Sequence, residues 1–217
     1  MTKETTYTFA KAAEEFAQAW RDPHHTRIEL PAVDVNKALA ERYIVDAPIH
    51  VTLSMVWDME LKKSWDPITY IPYVVSDGKS WGRHPTEAGC EHFFRSSIQR
   101  AWIGDENGRV LEDVHINHAA KRILFMGRAS MITDGGEIIR ADKFQPLFHV
   151  EHAAGGSETA PLNLWRIVIL TENEDKRLLA PFQKMIREGG LPGFLEIYIR
   201  KDLKVNVSRR ESTERAL

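Results

Sequence analysis

One cysteine, Cys90, stands among 217 residues, and that scarcity excludes an intrachain disulfide framework and any Cys-x-x-Cys metal or redox motif. It also excludes a Rieske iron–sulfur centre, which needs cysteine and histidine ligands together. Long apolar runs are missing too. The most apolar stretch, Leu164 to Leu170, is broken by Arg166 and is too short to cross a bilayer. The opening MTKETTYTFAKAAEEF carries acidic residues and no apolar core, so it does not read as a leader peptide. Charge of one sign is absent: 29 Lys and Arg stand against 31 Asp and Glu, with a pI near 6.5. A polyanion-binding role therefore loses its electrostatic basis. No nucleic-acid partner and no integral membrane segment are expected, and the expected location is the cytoplasm. Catalytic signatures are missing as well. There is no Gly-x-Ser-x-Gly elbow and no His-Glu-x-x-His pair, and Gly189-Gly190-Leu191-Pro192-Gly193 has neither dinucleotide nor P-loop spacing. No cofactor is expected.

What is present is an ordinary soluble composition, 43% hydrophobic and 28% charged. A chain of this mass buries roughly 70% of its unfolded surface, enough for a large core or a core with a cavity. Phe9, Ala12, Ala13, Phe16 and Trp20 recur at helical spacing and predict an amphipathic helix ending at Asp22-Pro23. Its apolar stripe packs on the same domain in the simplest reading; a lid over a pocket or a homodimer contact is the alternative. A first strand is expected over Leu39 to Val45, ended by Asp46-Ala47-Pro48, then a helix over Val51 to Leu61. Strand candidates follow at Tyr70–Val75, Glu91–Trp102, Arg109–His118, Ile123–Thr133, Ile138–Phe144, Leu147–His152 and Leu164–Thr171. Ser76-Asp77-Gly78 and Asp134-Gly135-Gly136 are expected as turns. Helical spacing returns from Leu178 and is interrupted at Gly189-Gly190, and Pro192 suits the first turn of a restarted helix.

The order of these pieces carries a resemblance. Asp46-Ala47-Pro48, Val56-Trp57-Asp58 and Trp65-Asp66-Pro67, then Glu87-Ala88-Gly89-Cys90, Lys121-Arg122-Ile123-Leu124-Phe125 and Gly155-Gly156-Ser157, resemble in sequence and order the START and birch-pollen-allergen-like superfamily (SRPBCC, polyketide cyclase-like). The resemblance runs from about Leu39 to Val207. It implies an α+β helix-grip fold, a curved antiparallel sheet wrapped around a long C-terminal helix, here with an extra N-terminal helix. Residues 1–36 are then an N-terminal helical extension, 37–207 the helix-grip domain and 208–217 a charged tail. The family implies an apolar internal cavity and a small hydrophobic or amphipathic partner, lipid-like or aromatic. A cyclase or aromatase working in the same cavity is the rival reading, and a non-enzymatic stress-response or interaction protein a third.

Aromatics lie on nearly every expected strand. Tyr70, Trp102 and Trp165, with Phe182, Met185 and Tyr198 from the C-terminal helices, are the expected wall. Arg95, Glu112 and Arg166 sit inside apolar strands, where an isolated charge is too costly. A sheet-exterior position is the simpler explanation. Placed inside, Arg95 or Arg166 would meet a carboxylate, phenolate or phosphate, and Glu112 would pair with one of them. An inward His118 or His149 would favour catalysis. His149 and Glu151, and again Asp113, His115 and Asn117, share strand faces. Solvated positions are the simpler reading of both sets, and no metal site is expected. No residue is assigned a catalytic role.

Overall fold

The computed structural model describes residues 8–210. Helix α1 (Phe9–Arg21) starts at Thr8, whose hydroxyl accepts the Lys11 amide at 3.3 Å. Short strands β1 (Thr26–Glu29) and β2 (Val33–Asp34) lead to α2 (Val35–Arg42) and β3 (Tyr43–Val45). Helices α3 (Leu53–Trp65) and α4 (Pro67–Tyr70) precede the main run of strands. These are β4 (Val75–Pro85), β5 (Cys90–Arg100), β6 (Asn107–Asn117), β7 (Arg122–Gly127), β8 (Ser130–Ile132), β9 (Ile138–Arg140), β10 (Phe148–Gly156) and β11 (Pro161–Ile169). A 3-10 turn, Lys176–Leu179, then opens α5 (Ala180–Glu188), followed by α6 (Gly193–Lys201) and β12 (Val207–Arg209).

The main sheet runs β1-β11-β10-β7-β6-β5-β4 with every neighbour antiparallel, and β2 adds to β11. First strand beside last, with helices between the first and second long strands and a helix after the last, is the α+β helix-grip layout. The first strand is not the expected one. Leu39–Val45 is mostly α2, because Asp34 caps it through the Lys37 amide at 3.0 Å and Val35 and Leu39 bury one turn apart. The β3 remnant pairs with β12, outside the main sheet. Thr26–Glu29 takes the edge position instead, and the expected boundary at residue 36 falls inside α2. Tyr70–Val75 is not a strand either: Asp66 caps α4 through the Thr69 amide at 3.1 Å, with Pro67 in its first turn. Ser76-Asp77-Gly78 lies within β4 and marks a register shift between Val75 and Asp77, a bulge in place of a turn. Asp134-Gly135-Gly136 does turn the β8–β9 hairpin. Ser208 and Arg209 of the expected tail belong to β12, and residues 211–217 lie outside the described residues.

Strand β7 shows how the layers stack. Ile123 and Phe125 join the core formed with α3 and α6, whereas Leu124 and Met126 pack under α1. The sheet is therefore buried on both faces over its centre, and α1 lies across β5, β6, β7 and β11 on the outer side. That settles α1 as a packing element away from the helix side, not a lid. Burying Phe9 and Phe16 there contributes about 1.5–3 kcal/mol apiece. At the C-terminus the expected long helix is two helices. Gly189 and Gly190 adopt φ +61° and +87°, values that favour glycine, and end α5. Helix α6 buries Phe194, Leu195, Tyr198 and Ile199, while α5 buries no residue.

Candidate functional site

Between the inner sheet face and the helices lies a cavity of about 150 Å³. Period-two alternation decides what the sheet contributes. On β5, β6 and β10 the inward positions give Arg95 and Gln99, Glu112, and Val150 and His152, and β11 gives Trp165. Lys63 of α3, Phe182 of α5 and Phe194 of α6 close the helix side. A wider surface groove of about 1030 Å³ shares Tyr73, Trp102, Trp165 and Phe182 with the cavity and runs under α5. A third hollow of about 320 Å³ lies between α2 and α5, and Trp165 lines it too.

The polar groups inside are paired. Arg95 donates to Glu112 at 2.7 Å and to the Ser64 carbonyl at 3.1 Å, with its guanidinium 4.6 Å from the Phe125 ring centre. Lys63 Nζ stands 2.5 Å from Glu60 and donates to His152 Nδ1 at 2.6 Å. Asn163 donates to the other Glu60 oxygen at 2.7 Å, and the Phe194 ring centre lies 3.8 Å from the ammonium. Burial draws Lys63 down to about 8 against the pull of Glu60. Burial and then the Lys63 charge draw His152 down to about 4. For Glu60 burial acts upward, but Lys63 and His152 outweigh it and hold the carboxyl at about 2. At neutral pH the interior thus carries Glu60⁻ with Lys63⁺ and a neutral His152, beside the Arg95–Glu112 ion pair. The two ion pairs leave the wall without net charge. One donor remains: among the described residues the buried Trp165 indole N–H has no hydrogen-bond partner.

Of the expected wall, Arg95, Trp102, Glu112, Trp165 and Phe182 line the cavity, and Met185 lines the groove and the third hollow. Trp102 packs its ring 4.5 Å from Phe148 and 5.7 Å from Phe182. Tyr70 and Tyr198 are buried elsewhere, donating to Asp202 at 3.0 Å and to Asp58 at 2.8 Å, so they pin helices together. His118 sits in the β6–β7 turn against Glu91 at 2.9 Å and edge-on to Trp57. Arg166 belongs to the outer face, bound to Glu151 at 2.8 Å and lying over Phe16 and Trp20 of α1. His149 is outward too, but buried at 2% exposure beneath α1, so neither strand set of polar residues is solvated as expected. In the sequence His152 reads only as the end of a strand beside His149 and Glu151, and Glu60 and Lys63 went unnoticed. Their signal was there: Val56, Met59, Glu60 and Lys63 fall on one helical stripe, two opposite charges in an apolar face.

No family model matches the chain, and no curated protein does. Among solved structures it is similar to the ZhuI aromatase/cyclase from Streptomyces sp. R1128, at 9% identity and a TM-score of 0.48 over 82% of this chain and 96% of that one. It is similar to the major latex-like protein 151 of Panax ginseng, at 12% identity and a TM-score of 0.39, covering 69% of this chain and 97% of that one. Protein XoxI of Bacillus cereus matches at 14% identity and a TM-score of 0.37 over 83% and 98%. The helix-grip architecture itself stands on the strand order and packing above, and it is the architecture that the sequence resemblance implied.

Proposed function

We propose that the cavity binds a small, mainly apolar molecule that is neutral and carries one hydrogen-bond acceptor. Trp165, which lines the cavity, the groove and the third hollow and whose buried indole N–H has no hydrogen-bond partner, is the observation that carries this reading. Neutrality follows from the paired charges, since a carboxylate or phosphate would leave a net charge in a low-dielectric wall. This replaces the sequence expectation of an anion held by Arg95. A space of about 150 Å³ takes roughly one aromatic ring; a longer tail would lie in the groove beneath α5. Binding would be driven by desolvation against Trp102, Phe125, Phe182 and Phe194, with Trp165 orienting the head.

A second reading has its own observation. Lys63 and His152, hydrogen-bonded to each other, line the cavity wall with Glu60 in ion-pair contact behind them, a titrating set such as acid–base work on a carbonyl compound requires. Protonated Lys63 would be the donor, so turnover of an aromatic or polyketide-like substrate would fall above about pH 8 as that proton leaves. The binding reading is tested by isothermal titration with neutral monocyclic ketones and phenols, compared with matched carboxylates, and the acid–base reading by that fall in turnover above about pH 8. Preference for the neutral compound, weakened about tenfold or more in Trp165→Phe, is expected. Preference for the carboxylate would overturn the electroneutral reading.

A further inference from the structure

The outer sheet face carries a cluster that the cavity does not use. His84 faces His92 across β4 and β5, and His92 faces His115 across β5 and β6. Three histidines thus stand in one row on adjacent strands, with ring centres 5.1 Å and 4.7 Å apart. Asp113, on the same face two residues before His115, meets His92 Nε2 through one oxygen and lies 3.4 Å from His115 Nε2 through the other. Ligand atoms of His92, Asp113 and His115 all fall within 4.8 Å of one another, and the three residues are 5%, 7% and 0% exposed.

We propose that His92, Asp113 and His115, with His84 as fourth donor, form a binding site for a zinc-like divalent transition-metal ion on the face opposite the cavity. Three converging nitrogen and oxygen donors are the core of such a site, and imidazole with carboxylate suits zinc over magnesium or calcium. His84 supplies a supporting detail. Its Nδ1 lies 2.7 Å from the Gly82 carbonyl; donating there leaves Nε2 with its lone pair, the arrangement by which backbone carbonyls fix metal-binding tautomers. His84 is exposed on the edge strand β4, so an ion has a path from solvent. Charge also fits. Arg128 reaches Asp113 at 3.2 Å but is also held by Glu15 at 3.0 Å. Two carboxylates, Glu15 and Asp113, thus stand against the one guanidinium of Arg128.

The test uses tag-free, chelator-treated protein titrated with zinc chloride and, separately, magnesium chloride, followed by gel filtration and elemental analysis. One equivalent of zinc retained, and no magnesium, is expected. His92→Ala and Asp113→Asn should lose at least about tenfold in affinity, with the fold checked by circular dichroism. His84→Ala, at an exposed position that leaves the core intact, should also lose about tenfold. Failure of the intact protein to retain zinc, or equal zinc affinity in folded His92→Ala and Asp113→Asn, would overturn the site. Unchanged affinity in His84→Ala would overturn the fourth-donor assignment.

Discussion

Lys63 and Glu60 have no water to fall back on, at 3% and 0% exposure, so each depends on the other for its charge. Removing only the cation, as in Lys63→Met, should cost about 3–5 kcal/mol by leaving Glu60 buried and unmatched. The double variant Lys63→Met with Glu60→Gln should recover most of that loss in urea unfolding, because no lone charge remains. The buried histidines set a pH dependence. His152 and His149 are each lowered from 6.5 to about 4, so as pH falls the unfolded chain takes up protons that the fold refuses. Stability is full above about 6.5 and is lost as pH falls from there toward 4, by up to about 1.4 kcal/mol per pH unit for each group. Around His152 stand Lys63, Glu60 and Arg95, and around His149 stand Glu15, Arg128 and His25, so the loss is a sum over both sets. Equilibrium unfolding at a series of pH values reads it directly. A flat profile between pH 6.5 and 4.5 would contradict neutral burial. At this scale the sequence was partly legible. Arg95 and Glu112 overturn the simpler reading of a sheet-exterior position: both lie inside, paired with each other as that alternative had it. Arg166 alternates onto one face with Val168 and Leu170, and that face is apolar because α1 covers it. Alternation groups residues on a face; it does not say which layer covers that face.

Among the elements, α1 and α5 make the sharpest contrast. Phe16 of α1 is 2% exposed and stacks on Trp20, so Phe16→Ala should cost about 3–5 kcal/mol while ligand affinity in the cavity stays unchanged. Helix α5 should behave in the opposite way. It buries no residue and ends at two left-handed glycines, yet its Phe182 closes the cavity beside Trp102. Its amides should exchange with deuterium faster than those of α6 and become protected when ligand binds. The break at Gly189-Gly190 was legible because two consecutive glycines in a helical pattern have few other uses. The first sheet strand was not. Thr26-Arg27-Ile28-Glu29 is too short for periodicity to register, and only pairing with β11 makes it a strand. The Ser76–Gly78 bulge was missed for a related reason: turn-forming residues mark a break in the ladder without saying whether the chain reverses.

The whole molecule is a sheet buried on both faces, with one face given to packing and the other divided between core and cavity. That division explains why so many polar residues are buried without lining the cavity. Among the described residues no helix is long and apolar enough to cross a membrane. The proposed ligand site is the inner space, neutral and with Trp165 as its donor. Native mass spectrometry of the purified protein, with organic extraction of whatever travels with it and titration of the stripped protein with neutral monocyclic ketones and phenols, tests it most directly. A one-to-one adduct of a neutral acceptor-bearing compound, lost in Trp165→Ala and in Phe182→Ala, is the predicted result. Protein that binds none of these compounds, or holds them equally well in both variants, would contradict it.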